Sequence, residues 1–70
     1  MPRYYFHYRD GPSIFEDVVG EVFADASLAM QHATKIAREL ARGGEPPNAS
    51  IVVVEGGQSL FEVPLGEQGD

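Results

Sequence analysis

Seventy residues with eleven acids, five bases, two histidines, no cysteine and a net charge of −6 leave room for few designs. A chain this short buries only about 60% of its unfolded surface, so it builds one core with a thin margin of stability, and it has no disulfide to add to that margin. The negative charge opposes non-specific binding to nucleic acid or to an anionic membrane.

The opening residues "MPRYYFHYRDG" contain no uninterrupted apolar run of the signal-peptide kind. Nowhere does the chain approach the roughly 20 apolar residues needed to span a bilayer. The expectation is a soluble protein with no membrane partner, placed by default in the cytoplasm, where the absence of cysteine is permitted. Residues 3 to 9 alternate with period two, setting Tyr4, Phe6 and Tyr8 on one face of a strand and Tyr5, His7 and Arg9 on the other. "RDGPS" then reverses the chain, since Gly accepts positive φ and Pro fixes its own. Ile14, Val18, Val22 and Phe23, broken by Gly20, predict a short irregular strand returning beside the first, with a bulge at Gly20.

Asp25 stands where a carboxylate would accept the unpaired amides that open a helix. From Ala26 to about Arg42, Ala29, Ala33, Ile36, Ala37 and Leu40 recur on one helical stripe. Arg38 and Arg42 suit the negative pole at its end, Gly43-Gly44 offers a left-handed stop, and Pro46-Pro47 forbids continuation. A stripe made mostly of alanine lets the helix lie close to a sheet but adds little bulk, so the aromatic residues of the first strand must supply it. "IVVV" at 51 to 54 and "LFEVPL" at 60 to 65 flank "EGGQS", which predicts a β-hairpin, with Pro64 at an edge or a strand end. The whole reads as an α+β domain over residues 1–65, an antiparallel sheet in ββαββ order with one helix packed on one face. Residues 66–70, "GEQGD", are expected to form a flexible tail.

The stretch Met1-Pro2-Arg3-Tyr4, with Phe6, His7 and the Arg9-Asp10-Gly11 turn, resembles a family of short bacterial proteins frequent in rhizobia and their relatives. Its members characteristically begin Met-Pro-Arg-Tyr-Phe-Phe-His; here Tyr5 stands where the family often has Phe. "DVVGEVFAD" is similar to the family's acidic, glycine-containing stretch before an alanine-rich helix, and "FEVPL" resembles its closing strand, with Leu65 in place of an aromatic. The family is a domain of unknown function, so the resemblance implies an architecture and a bacterial source and carries over no catalytic residue. A fainter likeness to the small folds of certain antitoxins rests on Asp-Gly, an aromatic with Asp, and the alanine-rich helix.

If Ile51, Val53, Phe61 and Val63 face the helix, then Tyr5, Val52, Val54 and Leu60 face away, and an outer surface expected to be polar becomes substantially apolar. Tyr5, His7, Arg9, Val52, Val54 and Leu60 are therefore the candidate interaction residues, for a homodimer or another protein partner. The same ring-rich face could serve a nucleic-acid-binding or antitoxin-like regulator, but such modules carry stacking residues on two strands and a basic charge. Catalysis is not expected: the serines, Thr34 and the two histidines show no spacing that joins a nucleophile to a base. His7 and His32 lie on different elements with no metal-ligand spacing, and neither glycine pair forms a phosphate-cradling loop, so no cofactor or metal is expected.

Overall fold

A computed structural model describes residues 2–68, of which the side chains of residues 67–68 are left aside. Met1 of the opening motif and residues 69–70 of the expected tail lie outside the described residues. The elements are β1 (Arg3–Asp10), β2 (Ser13–Phe15), β3 (Glu21–Val22), helix α1 (Ala26–Arg42), β4 (Ala49–Glu55), β5 (Gln58–Pro64) and a 3₁₀ turn (Leu65–Gln68). All pairings are antiparallel, in the order β2-β1-β4-β5, with β3 also paired to β1. No helix among the described residues is long and apolar enough to cross a membrane.

The α+β architecture is the expected one, with a difference in its second strand. Residues 14 to 23 do not run as one bulged strand. They divide into β2 and β3 on the same edge of β1, because Asp17 takes over one strand bond with its own carboxylate: Oδ2 accepts the Phe6 N–H at 3.2 Å. Both hairpin turns follow from glycine. Gly11 enters the β1–β2 reversal at φ 59°, and Gly56 and Gly57 take φ 60° and 79° in the two-residue β4–β5 turn, a backbone that residues with a Cβ rarely adopt.

The Asp25 carboxylate caps α1 through the Leu28 N–H at 3.0 Å and the Ser27 hydroxyl at 2.8 Å, and these bonds to its charged form hold its pKa below the usual carboxylate value. At the other end the left-handed residue is Gly44, φ 94°. Ala29, Ala33 and Ala37 are wholly buried, so the helix backbone sits close to the sheet. It lies mainly over β4, β5 and the 3₁₀ turn, where Ile51, Val53, Val63 and Leu65 provide the core's aliphatic bulk.

Tyr4 is buried, while Phe6 and Tyr8 pack on the core only in part. They share the β1 side with Phe23 and His32: Phe6 meets His32 edge-on at 4.9 Å between ring centres, and Phe23 lies 5.1 Å from the same imidazole. His32 Nε2 reaches Glu21 at 3.5 Å, which ties β3 to the helix. The aromatic residues therefore supply bulk beside the alanine stripe, and the hairpin's aliphatics supply it beneath. Past Pro64 the chain continues in order through the 3₁₀ turn, where the Gly66 N–H donates to the Pro47 carbonyl at 3.1 Å.

Candidate interaction surface

Register places Tyr5 opposite Val54, His7 opposite Val52 and Arg9 opposite Ser50, with Val52 in turn opposite Glu62. A register shift leaves Val54 facing Ser59 and Val53 facing Phe61, so Leu60 is the extra residue of a bulge opposite Val54, and it lies outside the core cluster. Tyr5, His7, Arg9, Val52, Val54 and Leu60 thus share the sheet side turned away from the helix. Their environments differ in a way that alternation cannot convey.

The end of this face at Arg9 is polar. Arg9 Nη1 lies 3.3 and 3.4 Å from the two carboxylate oxygens of Glu62, and the buried Ser50 hydroxyl donates to Glu62 at 2.6 Å. Arg9 and Glu62 are about half exposed, so the pair contributes roughly 0.2–1 kcal/mol, but it orients both charges along the surface. In the middle, Val52 is only 5% exposed despite facing outward. The apolar outer surface is therefore narrower than alternation predicts: Tyr5, Val54 and Leu60 remain of the expected set.

The segment between β2 and β3 restores apolar surface at the edge. The Asp17 N–H donates to His7 Nδ1 at 3.0 Å, which requires the neutral ring to carry its proton on Nε2. Asp17 Oδ1 accepts the N–H groups of Val19 and Gly20, both at 3.1 Å, in an Asx-type turn. Arg3 Nη1 donates to the Val19 carbonyl at 2.9 Å. Gly20 has φ 72°, and a Cβ there would come within 2.9 Å of the Tyr4 carbonyl and the Tyr5 ring. The loop is thereby pinned to the outward side chains of β1.

Burial raises the Asp17 pKa, but the amide bonds from Gly20, Phe6 and Val19 to its charged form outweigh it and leave the carboxyl below its usual value. The frame engages the Asp17 carboxylate, the N–H groups of Asp17, Val19 and Gly20 and the Val19 carbonyl, and leaves Val18 and Val19 82% and 71% exposed. Ile14 and Val22 are also exposed and pair with Arg9 and Arg3, so they belong to the same outward side. The irregular-strand reading counted Val18 among its strand residues; the sequence signal against it was the adjacent Val-Val between an Asp and a Gly, which suits an Asx turn better than a strand.

On the helix side, the Tyr8 hydroxyl donates to Glu45 Oε1 at 2.8 Å. Burial, then that bond and the charges of Glu45 and Asp10, push its pKa up to about 12. The folded protein therefore retains a proton that the unfolded chain releases from pH 10 upward, and stability present below that pH is lost as pH rises through about 12. Burial also raises the pKa of Tyr4, so a phenolate absorbance titration should show late ionisation from both residues, and Tyr8→Phe should remove one tyrosine's share of it.

Neither a curated protein nor a solved structure matches this chain. A model of the family described as "Domain of unknown function (DUF6894)" matches residues 3–66, from the start of β1 into the 3₁₀ turn. That span takes in the sheet, the helix and the whole outward surface, and the chain belongs to the DUF6894 family.

Proposed function

We propose that this domain is a non-catalytic protein-interaction or dimerisation module, working in a bacterial cytoplasm through the outer sheet face and its β2–β3 edge. The observation that carries this reading is the loop at residues 17–20. A polar frame of side-chain and backbone bonds holds two aliphatic side chains in water, where they stabilise nothing in their own chain. Apolar groups fixed in place lose little freedom on docking, which favours association.

Nucleic acid is the weaker reading on the same face. His7 accepts a backbone amide, Arg9 is engaged with Glu62, and the net charge of −6 opposes a phosphate backbone. Val54→Glu, at a half-buried site opposite Tyr5, should preserve the circular-dichroism spectrum and weaken protein binding about tenfold or more. The assay is capture from the source cell followed by rebinding of the identified, purified partner. Equal affinity of wild type and variant would overturn the reading. Salt-sensitive binding of single-stranded RNA or DNA that disappears in Tyr5→Ala would replace it.

A further inference from the structure

We propose that the occupant of the outer face is a second copy of this chain, docked face to face about a two-fold axis parallel to the strands and lying between β1 and β4. The inference rests on the interaction reading above and names its partner. Extent is the first argument. The molecule extends 33 × 25 × 17 Å, so a contact that spans its two longer dimensions is on the order of the ~800 Å² that each partner contributes to a standard interface.

Charge is the second argument. Two chains of net charge −6 repel unless the surfaces that meet carry compensated charge. On the outer side Arg9 is paired with Glu62, Arg3 is held by the Val19 carbonyl, and the Asp17 carboxylate accepts three backbone amides. Asp25 caps the helix, Glu39 is on it, Glu45 binds Tyr8 and Glu21 reaches His32, so these acids lie on the other side, while the exposed Glu16 stays at the β2 edge.

Strand order selects the axis. The Val18–Val19 loop rises beside β1 at the level of Tyr5 to His7, and Leu60 lies on β5 at the level of Tyr5 and Val54. The two are at the same height on opposite edges of the sheet. Rotation about an axis parallel to the strands keeps height and exchanges edges, so each loop falls over the second copy's Leu60, and Tyr5 falls over the second copy's Val54. An axis perpendicular to the strands would bring each loop against its own image and hold the flat parts of the sheets apart. Two twisted sheets packed in this way stand about 10 Å apart, within reach of the side chains on both faces.

The chain has no cysteine, so two single-cysteine variants, Val19→Cys and Leu60→Cys, give a clean test. Sedimentation of the wild type should show a concentration-dependent dimer, and Val19→Asp, at an exposed site that should not disturb folding, should weaken it about tenfold or more. When the two cysteine variants are mixed in equal amounts, equilibrated and mildly oxidised, the mixed disulfide should clearly exceed the two like-with-like products taken together, which random pairing would only equal. A monomer at all concentrations overturns the second copy as partner. The interaction reading would then still stand or fall on whether Val54→Glu loses a different, purified protein. A dimer that cross-links Val19→Cys mainly to itself overturns the proposed axis.

Discussion

Leu65→Ala should lower the free energy of unfolding by about 2–5 kcal/mol, a large part of the ~5 kcal/mol available to a domain of this size. Leu65 is 0% exposed and is one of the three largest fully buried side chains, with Ile51 and Val53. Truncation there leaves a cavity that its surroundings are poorly placed to fill. The helix above presents Ala29, Ala33 and Ala37, which have no rotamers to swing inward. From the other side, the turn that carries Leu65 is locked to the loop after α1: a Cβ on Gly66 would already stand 2.9 Å from the Pro47 carbonyl, so the backbone has little room to move in. Urea denaturation should show a lower midpoint with an unchanged slope. Leu60→Ala, at an exposed bulge residue, should change stability by no more than about 0.5 kcal/mol. A loss below 1 kcal/mol in Leu65→Ala would mean that the helix and the 3₁₀ turn are not packed as described.

What was legible in the sequence was what repeats. The period of two at residues 3–9 and the alanine stripe at residues 29–37 report burial that recurs along an element, and the glycine pairs report backbone angles that other residues avoid. The second strand failed because its organising bond is not periodic. One Asp side chain replaces a strand partner for Phe6, and nothing in the spacing of apolar residues shows that a carboxylate will sit in a ladder. The outer face was legible as a set of positions and misjudged as a surface. Alternation assigned Val52 and Arg9 to the same side, but it carried no information about the Arg9, Ser50 and Glu62 cluster, whose members come from three strands. The irregular-strand reading set Val18 among strand positions, although this residue and Val19 are the most exposed large aliphatics among the described residues.

Asp17→Ala tests stability and presentation at one residue. It removes a charged acceptor from the amides of Phe6, Val19 and Gly20, for an expected loss of about 2 kcal/mol after allowance for the loop's partial exposure. Asp17→Asn separates charge from shape. With its oxygen kept toward Val19 and Gly20, its amide nitrogen would face the Phe6 N–H, donor against donor, so this variant should also lose stability. The acid response gives an independent check. Because the folded Asp17 and Asp25 carboxyls sit below their unfolded values near 4, their contribution is present above that pH and is lost as pH falls through the lower folded values. Wild-type stability should therefore decline on acidification, and Asp17→Asn should decline less steeply, with Asp25 still contributing to the slope. At neutral pH and low temperature, where both variants stay folded, the Val18–Val19 pair would no longer be held against Tyr5 and His7. Association should then weaken by more than the remaining fraction of folded chain accounts for. If it weakened only in proportion to that fraction, the loop would be a structural link between β2 and β3, and the binding would have to come from Tyr5, Val54 and Leu60 alone.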